Sequence, residues 1–275
     1  MQTGPIGIFD SGYGGLTVMQ EIVQRLPAYD YIYLGDNARS PYGTRSFETV
    51  YRYTLECVEW FFRKGSPLVI LACNTASAKA LRTIQQNDLQ KLNPANRVLG
   101  VIRPTAEVIG QYSQSKQVGI LATAGTVQSD SYKIEINKFF PDIQVFQKAC
   151  PMWVPLIENN EHESEGADYF VKEYAEALLH QSDKIDTVLL GCTHYPLLSK
   201  KIQQFLPAGV QLLSQGKIVA ESLADYLHRH AEIEARLTKS RNRQFFTTDS
   251  AADFNNHASL FYGDEILAGH VELGQ

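Results

Sequence analysis

Two cysteines carry most of the chemical interest of this chain. Cys73 follows the apolar run Val69-Ile70-Leu71-Ala72 and precedes Asn74-Thr75-Ala76-Ser77. Cys192 follows Thr187-Val188-Leu189-Leu190-Gly191 and precedes Thr193-His194-Tyr195-Pro196. Each pattern predicts a strand that turns into a helix, with the thiol at the turn and Pro196 at a first helical position. Free amides and the dipole of a starting helix favour negative charge, so each thiol is expected to ionise more easily than its ordinary pKa of ~8.5 allows. His194, two residues beyond Cys192, is placed to exchange protons with a thiol or a ligand. A buried strand-end cysteine is the plain alternative for either residue alone. Two of them in equivalent settings, each flanked by Thr, favour a chemical role.

A third strand-to-loop junction is Asp10-Ser11-Gly12-Tyr13-Gly14-Gly15. It lacks the G-x-G-x-x-G spacing of a dinucleotide site. Asp10, Ser11 and nearby amides suit a carboxylate or ammonium group better. The loop Gly35–Gly43 contains Asp36 and Arg39, which can pair with each other, and ends in Pro41-Tyr42-Gly43. Cys57 lies on the inward stripe of a predicted helix and Cys150 precedes Pro151, so both read as core thiols. The acidic stretch Glu158–Glu165 with His162 matches no metal-ligand spacing, and no C-x-x-C pair exists. Glu158 stands apart there, because it directly follows the apolar Val154-Pro155-Leu156-Ile157.

The elements that must position these residues read as alternating strands and helices. Strands are expected at Ile6–Phe9, Tyr31–Leu34, Leu68–Leu71, Arg97–Val101, Val118–Leu121, Ile143–Phe146, Thr187–Leu190, Gln211–Leu213 and Gln244–Thr247. Several are continuous apolar runs, as in parallel sheets covered on both faces. Val50, Thr54, Cys57, Val58 and Phe61 form the inward stripe of a helix that Gly65 caps. An internal echo links Ile6-Gly7-Ile8-Phe9 to Val118-Gly119-Ile120-Leu121, and Leu71-Ala72-Cys73 to Leu190-Gly191-Cys192. The offsets are 112 and 119 residues, so two halves with one strand order are expected, each placing a cysteine at the ligand-binding ends of its strands.

Composition narrows the classes. The 275 residues are 44% hydrophobic and 20% charged, with net charge −5, which fits a globular α/β protein of one or two domains and disfavours a nucleic-acid binder. Apolar runs are too short to span a membrane. No basic residue precedes Arg25, so no secretory signal is expected, and the chain is expected in the cytoplasm with reduced cysteines.

In combination and order, Phe9-Asp10-Ser11-Gly12, Gly35-Asp36 with Pro41-Tyr42-Gly43, Ala72-Cys73-Asn74-Thr75-Ala76-Ser77 and Gly191-Cys192-Thr193-His194-Tyr195-Pro196-Leu197 resemble the glutamate racemases of the aspartate/glutamate racemase superfamily. So do Gly100-Val101-Ile102 with Pro104, and Cys150-Pro151 running to Pro155 and Glu158. The resemblance extends from Ile6 to about Leu198, with Phe246-Thr247-Thr248 as a tail strand. It implies two similar α/β domains, each a mostly parallel sheet flanked by helices, with the active site in the cleft between them. It implies cofactor-independent, metal-free interconversion of L- and D-glutamate, with D-glutamate supplied to peptidoglycan synthesis. Carried over residue by residue, Cys73 and Cys192 are the two catalytic bases, and Asp10, Glu158 and His194 assist proton transfer. Asp10, Ser11, Tyr42, Gly43, Asn74, Thr75, Thr193 and His194 match substrate-binding positions. His194 favours glutamate over aspartate, whose racemases tend to carry Glu there. One departure is Ser214-Gln215-Gly216, where the family usually has Asp-Ser-Gly; the expectation is loss of a capping or hinge contact.

The expected domains are 1–97 with 212–275, and 98–211. The partner is the small substrate, with a homodimer as an open possibility, no nucleic acid and no membrane. Three other readings compete. They are a racemase of a related small acid such as aspartate, a non-catalytic amino-acid-binding protein, and a cysteine hydrolase using Cys192 with His194. The hydrolase reading is weakened because the sequence reveals neither a third orienting group nor an oxyanion site.

Overall fold

A computed structural model of the protein describes residues 3–273. All nine expected strands are present, eight of them within one residue at either end. They are β1 (Ile6–Asp10), β2 (Tyr31–Gly35), β3 (Leu68–Leu71), β4 (Arg97–Gly100), β5 (Gln117–Ala122), β6 (Gln144–Ala149), β7 (Thr187–Gly191), β8 (Gln211–Leu213) and β9 (Arg243–Thr247). β6 starts later and runs further than expected because it stays in register with β5 from Gln117↔Gln144 to Ala122↔Ala149. A tenth strand, β10 (Ala268–His270), escaped the sequence reading: Ala-Gly-His is too short and polar to signal a strand, and it lies on the sheet edge beside β9.

The strands form two sheets, ordered β10-β9-β2-β1-β3-β4 and β6-β5-β7-β8. Every pairing is parallel. The run β2-β1-β3-β4 is thus repeated as β6-β5-β7-β8. The echo in the sequence is this repeat. Gly7 pairs with Val69 in the first sheet and Gly119 with Val188 in the second. Both glycines serve one purpose. A Cβ on Gly7 would stand 2.6 Å from the Phe61 ring, and one on Gly119 would stand 2.6 Å from Leu178, so each bare position lets a covering helix lie close on the sheet.

Sheet membership bears on where the chain divides. The ladder of β4 with β3 continues to Leu71↔Gly100, and β8 pairs with β7 from Thr187↔Gln211. Breaks after residues 97 and 211 would therefore cut through two paired strands.

The helix Phe47–Arg63 forms as its stripe requires. Ser46 caps it by accepting the Thr49 N–H at 3.2 Å, Val50, Thr54, Cys57, Val58, Trp60 and Phe61 are buried, and Gly65 beyond its end takes φ +87°. Burying a side chain such as Phe61 contributes roughly 1.5–3 kcal/mol. One core cluster runs from Ile8 and Leu16 through Val219 to Val188 and Leu190, so apolar packing joins the two sheets. No helix among the described residues is long and apolar enough to cross a membrane.

Candidate active site

Both sheets bring their carboxyl ends to one place, where open parallel sheets bind ligands. Cys73 follows β3, Cys192 follows β7 and Asp10 ends β1. The two thiols are buried, at 5% and 7% exposure. They lie close enough that charge on Cys192 contributes to the proton affinity of Cys73.

The cysteine turns differ more than the sequence suggested. Cys73 is the N-cap of the helix Asn74–Lys79, and its sulfur accepts the Ala76 N–H at 3.4 Å. Ser11 Oγ lies 3.6 Å from the same sulfur. Cys192 caps no α-helix. Its carbonyl accepts the Tyr195 N–H at 3.2 Å, and a 3-10 turn over Tyr195–Leu198 follows, with Pro196 inside it, before a helix starts at Ser199. Its sulfur instead faces His194 Nδ1 at 3.9 Å, and His194 Nε2 meets Glu158 Oε1 at 2.9 Å. Glu158 ends the helix Trp153–Glu158, as its place after an apolar run suggested. Because Glu158 orients His194, the third group thought missing for a cysteine hydrolase is present.

Proton affinities correct another expectation. The helix start was expected to ease ionisation of Cys73. Burial, and next the Asp10 carboxylate, instead push this thiol up to about 12, outweighing the Ala76 amide and Ser11. At neutral pH Cys73 is therefore a thiol. Burial by itself would lower His194, but hydrogen bonds to Cys192 and Glu158 raise it to about 10, so the ring is protonated at neutral pH. Burial raises Asp10 above the usual carboxylate range, against the His194 charge and the amides of Gly12 and Gly15. For Cys57 and Cys150 burial pushes the thiol well above its ordinary value, in keeping with their reading as core residues.

Contacts between the sheets hold the constellation together. Thr193 Oγ1 donates to Asp10 Oδ2 at 3.3 Å, and Thr17 Oγ1 donates to the Thr193 carbonyl at 3.0 Å. A Cβ on Gly14 would stand 2.3 Å from Thr193 Oγ1 and 2.4 Å from His194 Nδ1, so the first helix can reach this turn only with glycine there. Across the opening, the Thr75 and Thr123 hydroxyls lie 3.0 Å apart and the Gly125 N–H donates to the Gly43 carbonyl at 2.8 Å. Thr17 and Thr123 were not singled out by sequence, since each matters only through the other half of the molecule, and Gly14 was read only as part of a glycine-rich turn.

Two expected ligand residues differ in detail. The Tyr42 hydroxyl donates to Asp36, and its ring packs against Phe9 and Tyr53, so only its main chain is left for a ligand. Asp36 also pairs with Arg39 Nε at 2.7 Å, as the loop sequence suggested. Asn74 is buried; its Oδ1 accepts from Tyr132 at 2.5 Å while its Nδ2 has no protein partner. Among the described residues no three His, Cys, Asp or Glu side chains are grouped to hold a metal ion. A cavity of about 710 Å³ opens elsewhere, lined by Lys79, Arg82, Arg103, Glu107 and Tyr226 among others, and holds none of these site residues.

Known racemases resemble this chain in sequence and in fold. The sequence model of the Asp/Glu/Hydantoin racemase family matches residues 6–223. A glutamate racemase of Streptococcus suis is 39% identical over 273 residues, covering 99% of this chain and all of that one. The crystal structure of a glutamate racemase isoform from Bacillus anthracis superposes with a TM-score of 0.89 at 33% identity, over 99% of both chains. That of Francisella tularensis glutamate racemase in complex with D-glutamate superposes with a TM-score of 0.87 at 31% identity, over 100% of this chain and 99% of that one.

Proposed function

The chain belongs to the Asp/Glu/hydantoin racemase family, and from that premise we propose that it interconverts L- and D-glutamate by proton transfer between Cys73 and Cys192. The observation that carries the reading is a pair of buried, electrostatically linked thiols, one at the same strand end of each repeated sheet. Racemisation removes the Cα proton from one face and returns a proton to the other. One sulfur acts as thiolate while the other, as thiol, donates, and the roles exchange in the reverse direction. Burial and the Asp10 carboxylate favour the thiol form of Cys73, so in the direction that starts from that form Cys73 supplies the proton returned to Cα.

The Cα–H bond is weakly acidic, so the site must stabilise the carbanion-like state more than the bound substrate. Fixed donors near the α-carboxylate do this without reorganising. We assign substrate binding to Ser11, the Tyr42 main chain, Gly43, Asn74, Thr75, Thr193 and His194. Asp10 assists proton transfer at Cys73, and Glu158 with His194 assists it at Cys192. No cofactor is required. We take residues 3–100 with 214–273 as one lobe and 101–213 as the other, with the substrate between them. The reading carries a cytoplasmic location and a supply of D-glutamate for peptidoglycan. A homodimer is the assembly to be tested by sedimentation.

Optical rotation of purified protein with L- or D-glutamate, without added cofactor, is the primary test, run also in heavy water. Cys73→Ala and Cys192→Ala should each lose at least about 100-fold in turnover, as expected when a general acid or base is removed. Unimpaired racemisation in either variant would overturn the two-thiol mechanism. Turnover of aspartate but not glutamate would shift the substrate. Binding without deuterium at Cα would mean a binding protein. The Glu158–His194–Cys192 chain favours a hydrolase as second reading, and ester cleavage that survives Cys73→Ala would establish it.

A further inference from the structure

The Asn74 side chain offers a buried donor, Nδ2, that nothing in the protein accepts. A buried amide group without a partner is costly unless a ligand completes it. What turns this N–H₂ outward, rather than its carbonyl, is a chain of hydrogen bonds that begins at the junction of the two sheets. Gln215 is 4% exposed and precedes the helix Gly216–Arg229. Its Nε2 lies 3.1 Å from the Val101 carbonyl, 3.0 Å from Thr105 Oγ1 and 2.7 Å from the Tyr132 hydroxyl. The fully buried Tyr132 in turn lies 2.5 Å from Asn74 Oδ1.

The direction of every bond follows from one group. A main-chain carbonyl only accepts, so Val101 fixes the Gln215 end facing it as N–H₂. Tyr132 oxygen then accepts from Gln215 and has its single proton left for Asn74. Asn74 must present Oδ1 to that proton, which leaves Nδ2 pointing away as a free donor. Gln215 is the middle residue of Ser214-Gln215-Gly216, the tripeptide expected to have lost a capping or hinge contact. It makes no side-chain cap on the helix Gly216–Arg229, yet its Nε2, with two protons to donate, lies within reach of three acceptors.

We propose that Gln215 and Tyr132 are positioning residues that set the polarity of the Asn74 amide, so that Nδ2 donates to a carboxylate of the bound amino acid. The proposal rests on the racemase reading for its ligand, but the relay itself does not. Tyr132→Phe removes the proton that holds Asn74 while leaving Gln215 bonded to Val101 and Thr105. It should raise KM for both enantiomers about 10–100-fold, the range for a lost hydrogen bond to a charged group, with a much smaller change in kcat. In an Asn74→Ala background the same substitution should have no further effect. Gln215→Met should act in the same direction and serves as the second variant if Tyr132→Phe does not fold. The Asn74 side-chain N–H₂ signals in a ¹⁵N–¹H correlation spectrum, assigned by their loss in Asn74→Ala, should shift in both relay variants. An unchanged KM, or an equal KM effect in the Asn74→Ala background, overturns the positioning role. Unmoved Asn74 signals overturn the relay even if wild-type protein proves not to racemise glutamate, whereas shifted signals without wild-type turnover overturn only the choice of substrate.

Discussion

At the level of single residues, the site has two unequal halves. Cys73 has a main-chain amide and a carboxylate as neighbours, and Cys192 has an imidazolium backed by Glu158. His194 binds its proton more tightly in the folded chain than in the unfolded one, where the pKa is about 6.5. Its contribution to stability is therefore full below that value, falls as pH rises and is gone above about 10. Thermal unfolding followed from pH 6 to pH 10 should show wild type losing more stability than His194→Asn. Glu158→Gln removes a group that raises His194, so the alkaline limb of the kcat/KM profile should move to lower pH. A limb that stays in place would separate Glu158 from the titration. Cys73, Cys192, His194 and Glu158 were legible in sequence because each sits beside an apolar run that marks its place. Tyr132 was not, since its partners Asn74 and Gln215 lie 58 and 83 residues away. The ionisation of Cys73 was misjudged because sequence reveals the helix start but not the depth of burial or the carboxylate beside it.

At the level of elements, close approach decides what may change. The first helix, Gly15–Arg25, meets the Cys192 turn through Gly14, whose backbone is ordinary right-handed helical, φ −56° and ψ −37°. Alanine there meets no backbone penalty, only the clash with Thr193 and His194. Gly14→Ala should cost about 1–3 kcal/mol, as overpacking against buried groups does, and also lose about 100-fold in turnover, the scale for a misplacement of about 1 Å at a reacting centre. Circular dichroism and the rotation assay together check this; full activity would mean the turn can move aside. Gly7→Ala lies away from the site and should spare turnover. It pushes on a fully buried Phe61 ring and should cost about 1–3 kcal/mol in urea unfolding, as overpacking does. Long apolar strands and the striped helix announced themselves through periodicity. The 3-10 turn after Cys192 did not, because a Pro at that place fits either kind of helix start.

At the level of the whole molecule, β2-β1-β3-β4 recurring as β6-β5-β7-β8 explains why a short echo in the sequence survived. Partner choice between sheets was harder to read: β4 and β8 sit at sheet edges next to the chain crossings, where apolar patterning is the same on either side of a boundary. A ligand held between the sheets should stabilise the folded chain. At a hundredfold excess over Kd, glutamate of either hand should contribute about 2.7 kcal/mol, or roughly 5 °C in Tm. Differential scanning fluorimetry with both enantiomers tests this, and no shift with either would argue against a site between the lobes.

The lopsided surroundings of the two sulfurs have a thermodynamic limit. Mirror-image solutes have equal free energies in water, so an enzyme equilibrating them is bound by the Haldane relation to equal specificity constants forward and back. No arrangement around Cys73 or Cys192 can favour one direction at low substrate. The imbalance can surface only at saturation, where the hand that binds more weakly must turn over proportionately faster.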